Sequence, residues 1–166
     1  MIDIIKADPS LSNHAEFIIQ LIDEYALDPM GGGQSLPDDV KVNLPAELAK
    51  RPSAHVILAF VDSQPAGLLI CFEGFSTFSC KPLLNIHDVI ISSAYRGRGL
   101  SKLMLQKVED IAFSLGCCKL TLEVLEGNYV AQSAYKGFGF NGYELDPKMG
   151  KALFWQKKLE EVITSD

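Results

Sequence analysis

Positive charge is scarce in this chain. Its 15 lysines and arginines are outnumbered by 21 acids, for a formal net charge of −6. That balance gives no overall pull toward nucleic acid or an anionic membrane, so a polyanion must be held by a local feature. Long apolar runs are missing too, and nothing approaches the roughly 20 residues that span a bilayer. The first residues, "MIDIIKADPS", carry acids early and lack a basic start followed by an apolar run. We therefore read no signal peptide and expect a cytoplasmic protein. Cysteine is limited to Cys71, Cys80, Cys117 and Cys118, and no CxxC pair is matched by a second at metal-site spacing. We expect free thiols in a reducing compartment and no metal. There is no internal repeat, linker or low-complexity segment. The 166 residues, 48% hydrophobic and 22% charged, fit one globular domain spanning 1–166.

What is present is periodicity. "MIDIIKA" reads as a first strand. "SNHAEFIIQLIDEYAL" puts Phe17, Ile18, Leu21, Ile22 and Tyr25 on one helical face, with Ser12 as the expected cap and a stop near Asp28-Pro29. "MGGGQSLP" reads as a flexible break, and "PDDVKVNLPAELAKRP" as short helical turns interrupted at Pro45. "AHVILAFVD" and "PAGLLICFEGFSTF" flank a hairpin turn at "SQP". "PLLNIHDVIIS" has the look of a central strand buried on both faces. A helix then starts near Leu100, with Leu103, Met104, Val108, Ile111, Ala112 and Leu115 on its apolar side and Gly116 as its stop. "CKLTLEVLE" alternates as a strand, "NYVAQSAYKGFGF" reads as a short helix closed by Gly137 and Gly139, and "KALFWQKKL" reads as a final strand. The predicted order, β-α-α-β-β-β-α-β-α-β-β, is a mixed α/β sheet.

One junction stands out. The run "LLNIHDVII" passes through "SSAYRGRG" into the helix at Leu100. Helix N-termini expose unpaired N–H groups and partial positive charge, and glycines let backbone close on a ligand. Arg96, Arg98 and Lys102 add fixed charge there. This is a reasonable pyrophosphate site on an acidic protein. A plain strand-to-helix turn with solvated arginines is the competing reading. A dinucleotide fingerprint would need a third small residue where Lys102 stands, and no GxxxxGK loop occurs.

The stretch "YRGRGLSKLML" resembles the acetyl-CoA signature of the GCN5-related N-acetyltransferase (GNAT) family, Q/R-x-x-G-x-G/A. Arg96 matches its first position and Gly99 its glycine, while Ser101 replaces the final Gly or Ala. Further on, "EVLEGNYVAQSAYKGFGF" resembles the family's later region. The resemblance implies an α/β fold with a mixed, mostly antiparallel central sheet, a bulged and splayed strand pair, and flanking helices. It implies acetyl-CoA as cosubstrate, with the pantetheine arm along Val89, Ile90 and Ile91 and the pyrophosphate on the amides of Arg96, Gly97, Arg98, Gly99, Leu100 and Ser101, beside Lys102. Asn128 matches a pantetheine-contacting position, although it also suits a helix cap. Tyr135 matches the tyrosine facing the CoA sulfur, the expected general acid for the leaving thiolate.

An alkylammonium has a pKa near 10, so an amine acceptor must lose a proton before it attacks. His87 and Asp88 interrupt the apolar strand "NIHDVII", where polyamine-type members carry a glutamate-aspartate pair. His87 is the expected base, and its competing role is a hydrogen-bonded strand histidine. Successive strand residues face opposite sides, so His87 and Asp88 share a cleft only across a bulge. On the acceptor side we expect Tyr25, Asp28, Glu73, Phe75, Thr77 and Asp88 to contact substrate. The resemblance implies an N-acetyltransferase acting by direct attack on a primary amine: a polyamine, amino acid or aminosugar. A protein acetyltransferase and a non-catalytic acetyl-CoA-binding module remain open alternatives. Family members are often dimers, and the C-terminal strand with Trp155 is compatible with a homodimer.

Overall fold

The computed structural model describes residues 1–159. Its elements are β1 (Ile2–Ala7), α1 (Ser12–Leu27), α2 (Asp38–Ala49), β2 (Ala54–Val61), β3 (Gln64–Ser76), β4 (Lys81–Ile91), α3 (Leu100–Ser114), β5 (Leu120–Leu122) and α4 (Tyr129–Phe138). Short 3-10 turns occupy Pro29–Gly31 and Ser93–Tyr95. The sheet runs β1-β2-β3-β4-β5, antiparallel throughout except for the parallel β4/β5 pair. No helix among the described residues is long and apolar enough to cross a membrane.

Alternation along the strands feeds two cores. Ile57, Ala59, Leu69, Cys71, Leu84 and Ile86 pack against Met104, Leu105, Val108 and Ala112 of α3. The opposite face sends Val56, Leu58, Leu68, Ile70 and Ile90 against Ile18 and Leu21 of α1 and Leu48 of α2. Helix α3 ends as its sequence suggested: the Gly116 amide bonds the Phe113 carbonyl at 3.1 Å and the Cys117 amide bonds Ala112 at 2.9 Å. Those two bonds satisfy carbonyls that the last helical turn leaves free.

Four local expectations need correcting. Ser12 is the first residue of α1 rather than its cap. Leu11 holds the cap position without a side-chain bond, and Asp8 instead ties the turn to Ser10. Pro45 does not interrupt α2, because it is itself buried in a helix whose Leu44 and Leu48 pack on the α1 core. That burial offsets the one helical hydrogen bond a proline cannot donate. Strand β5 spans only Leu120–Leu122 and pairs only with Leu84–Ile86, so Val124 is not part of it. Finally, "KALFWQKKL" is not a strand. Only an isolated antiparallel bridge, Glu144 to Lys151, forms there, and Trp155 is 82% exposed. A short apolar run becomes a strand only where it pairs with a neighbour, and this one does not join the sheet.

Leu84 is fully buried where the β4/β5 seam meets α3. Leu84→Ala should cost about 3 kcal/mol in urea unfolding through the lost contacts and the cavity left behind.

Candidate active site

The site grows from a single irregularity in β4. Ile70 of β3 faces Asp88, but its neighbour Cys71 faces Ile86, so His87 is an extra residue bulged out of the ladder. Leu84 and Ile86 pack on the α3 side, and so do Val89 and Ile91. The phase therefore slips between Ile86 and Val89, and His87 and Asp88 both turn to the α1 side. The His87 ring meets Phe72 edge-on, with centroids 5.2 Å apart, on that same face. Beyond Ile86, β5 no longer pairs with β4, and Val89, Ile90 and Ile91 border the opening. The Ile91 carbonyl already accepts a bond from Arg96 Nε at 3.3 Å.

At the end of β4 the chain turns through Ser93–Tyr95 and enters α3. Gly97 and Gly99 have φ of 77° and 74°, and a Cβ at either would meet nothing within 4 Å. The left-handed backbone, not crowding, calls for glycine there, and the space above the loop is open. The Leu103 amide makes the first helical bond, to the Gly99 carbonyl at 3.3 Å, and no side chain caps the helix. The amides of Leu100, Ser101 and Lys102 thus precede the helical ladder, as an anion cradle requires. The Leu100 side chain is buried against Val61 and Ala66, so only its backbone faces the loop. Arg98 lies over the Tyr95 ring, 5.4 Å from its centroid, while Lys102 is exposed.

Asn128 caps α4, its Oδ1 accepting from the Ala131 amide at 3.1 Å. Two turns on, Tyr135 is half-buried among the α3-side hydrophobics, edge-on to Phe140. Burial pushes its phenol above the usual value, and the nearby Tyr25 phenol acts in the same direction. Tyr25 belongs to the other face of the sheet, where burial, Asp88 and Asp28 in turn raise its own value. Tyr135 thus senses a tyrosine that belongs to the opposite face of the sheet. Asp88 is pushed up by burial, partly countered by His87, and no described side chain bonds it.

A profile of the Acetyltransferase (GNAT) family matches residues 18–140. The chain belongs to the GNAT acetyltransferase family. A thialysine N-epsilon-acetyltransferase of Bos taurus is 28% identical over 118 residues, covering 64% of this chain and 69% of that protein. The solved structure of a probable acetyltransferase superposes with a TM-score of 0.78 at 20% identity, covering 95% of this chain and 99% of the other. An aminoglycoside acetyltransferase from an uncultured soil metagenomic sample gives 0.77 at 18% identity, covering 96% and 97%. The fold is thus that of GNAT enzymes, and the protein is an N-acetyltransferase.

The expected acceptor residues of this GNAT enzyme do not all converge. Tyr25 and Asp88 do. Glu73 does not: strand alternation turns it to the α3 side, where it takes Nε2 of buried His55 at 2.7 Å. Phe75 pairs with Pro82, six residues before Asp88, which is roughly 20 Å along a strand. Thr77 lies beyond Phe75, in the turn after β3. Asp28 is near the site but engaged, as are its neighbours on α1. Asp23 holds Ser35 Oγ and the Leu36 amide, both at 2.8 Å, and Lys41 at 2.9 Å. Glu24 accepts from the Ser93 amide at 2.8 Å. "MGGGQ" is consequently a bonded loop rather than a flexible break. The Gly31 and Gly33 amides bond the Asp28 carbonyl at 2.8 and 3.1 Å. A Cβ on Gly31 would fall 2.0 Å from the Tyr25 carbonyl oxygen, so that position has no room for a side chain. Phe72 was the residue missed. Its signal was its phase, one step from core-facing Cys71 and so on the His87 face. Cys71 carries no nucleophilic role, because burial pushes its thiol to about 12.

The raised Asp88 value fixes a sign for stability. The folded state holds the Asp88 proton more tightly than the unfolded chain, so ionising it costs folding energy. That cost is absent below the ordinary value of 3.8 and grows as pH rises through the folded value. Asp88→Asn should therefore melt higher than the wild type near neutral pH. Thermal melts across pH should show the gap closing as pH falls to 3.8. A gap that widens on acidification would contradict the assignment.

Proposed function

We propose that this enzyme transfers the acetyl group of acetyl-CoA to the primary amine of a small molecule by direct attack in a ternary complex. The observation carrying this reading is the end of β4/β5 pairing at Ile86, with the bulged His87 and Asp88 just past it on the α1 side and Tyr135 among the α3-side hydrophobics. Acetyl-CoA supplies a thioester carbonyl, activated for attack by an amine. The open glycine loop, the uncapped amides at the start of α3 and the cations Arg96 and Lys102 suit its pyrophosphate. Gly97 and Ser101 belong to that cradle through their backbone, and Asn128 serves mainly as a cap.

The two protons have separate owners. Tyr135, with its raised value, keeps its proton at neutral pH and can give it to the departing thiolate. His87, exposed on the acceptor face beside Asp88, takes the ammonium proton. Backbone N–H near Val89 or Ile90 stabilises the developing oxyanion. Acceptor size is bounded by the chain held at Asp23 through Ser35, Leu36 and Lys41, which favours a small molecule over a protein tail. The name of the Bos taurus relative, which specifies an epsilon nitrogen, points to an amine on an alkyl arm.

The first test is thiol release from acetyl-CoA with polyamines, amino acids including thialysine, aminosugars and lysine peptides. Saturable release with one small-amine class, and the acetylated product by mass, is expected. Release only with peptides would replace the small-molecule reading. With the acceptor found, Tyr135→Phe should lower kcat by about 100-fold with CoA affinity intact. His87→Ala should move the acidic limb of the pH–rate profile, and an unmoved limb would return His87 to a packing role.

A further inference from the structure

The glycine-rich loop beside the acceptor face is tied directly to the anion cradle. Asp28 Oδ2 meets Arg96 Nη2 at 3.1 Å, while its Oδ1 accepts from the Met30 amide at 2.9 Å. Its backbone carbonyl takes Gly31 and Gly33. One residue thus nucleates the loop and holds the arginine that opens the signature of the cradle. The pair is exposed to water, with the Arg96 side chain 59% accessible and Asp28 26%. An exposed ion pair is weak and readily exchanged. A pyrophosphate seated on the amides of α3, with Lys102 adding charge, offers the same guanidinium a stronger, bidentate partner.

We propose that Asp28 and Arg96 form a latch that acetyl-CoA opens. It rests on the reading that the Arg96 loop binds the CoA pyrophosphate. In the free enzyme Asp28 occupies Arg96 and the 29–34 loop is held down. When pyrophosphate draws Arg96 away, the loop loosens and Asp28 Oδ2 loses its cation. That carboxylate stands near Tyr25, which also senses Asp88. The vacated charge favours a cationic amine, so the acceptor side gains its anion only after the donor has bound. Linkage runs both ways: an amine on Asp28 frees Arg96 for pyrophosphate. Glu24, bonded to the Ser93 amide, is the fixed hinge that stays engaged throughout.

The latch makes a prediction opposite in sign to a simple supporting role. If Asp28 only positioned Arg96, removing its charge would weaken coenzyme A binding. If it competes with pyrophosphate, Asp28→Asn should tighten coenzyme A by severalfold at low salt, because asparagine still caps the turn. Calorimetry with coenzyme A on wild type, Asp28→Asn, Asp28→Ser and Arg96→Ala decides this. Hydrogen exchange of the 29–34 amides supplies a second readout: coenzyme A should speed it by about fivefold in wild type. In the Asp28→Asn protein exchange should already be fast and unaffected by the ligand. Tighter binding in both Asp28 variants, weaker binding in Arg96→Ala and ligand-released exchange support the latch. Weaker or unchanged binding in the Asp28 variants overturns it, as does wild-type exchange that coenzyme A slows. Equal affinity of Arg96→Ala and wild type would overturn the phosphate role of Arg96 itself, and with it the latch.

Discussion

The arrangement of this molecule turns on one extra residue in β4. A strand alternates faces with a period of two, and an interior place for a carboxylate is expensive. The segment from Leu84 to Ile91 presents two apolar pairs that are out of phase, Leu84 with Ile86 and Val89 with Ile91, separated by His87 and Asp88. Regular alternation would drive Asp88 into the α3 core and turn Val89 and Ile91 away from it. Bulging His87 avoids both: the apolar pairs share the α3 side, and the polar residues share the other. A bulge also bends and twists its strand. Pairing between β4 and β5 ends at Ile86, immediately before it. The same accommodation therefore places the polar groups and borders the gap they face.

Much of this could be read in the sequence. The elements from β1 to α4 follow from hydrophobic spacing, because each apolar face found a partner close in the chain or across a well-buried strand. The bulge was foreseeable as a condition, since only a bulge lets His87 and Asp88 share a face. The face of Glu73 was harder. It sits one step from Phe72 in a strand whose buried run, Pro65 to Cys71, hides the alternation. Counting from Cys71 puts it on the α3 side, and its contact with His55 agrees. The stretch 151–159 failed for a different reason: apolar character is a local property, and strand pairing is not.

The acids of α1 carry a separate lesson. Asp23, Glu24 and Asp28 beside a glycine run look like a surface waiting for a cation. In the fold, carboxylates within reach of loop amides are consumed as acceptors for those amides. Asp23 takes Leu36, Glu24 takes Ser93 and Asp28 takes Met30. Glycine-rich loops have many free N–H groups and few side chains to satisfy them, so neighbouring acids are the natural partners. Asp88, by contrast, is bonded by no described side chain, and burial raises its value.

That distribution bears on how a chain with excess acid handles two protons at one opening. Acetyl transfer from a thioester to an ammonium needs a group that accepts a proton and another that releases one. Placing both on one face would let them exchange directly and do no net work. Here the sheet stands between them. Tyr135 approaches with the α3-side core, while His87 and Asp88 approach from the α1 side, and the opening beyond Ile86 is where the sides meet. Burial raises both the Tyr25 and the Tyr135 phenol, and Tyr25 adds to the rise at Tyr135. On the proposed assignment Tyr135 supplies a proton from the α3 side. His87, whose ring meets Phe72 edge-on, would take one on the α1 side. Separation of the two roles follows from the geometry of the splayed strands and needs no conformational change at the chemical step.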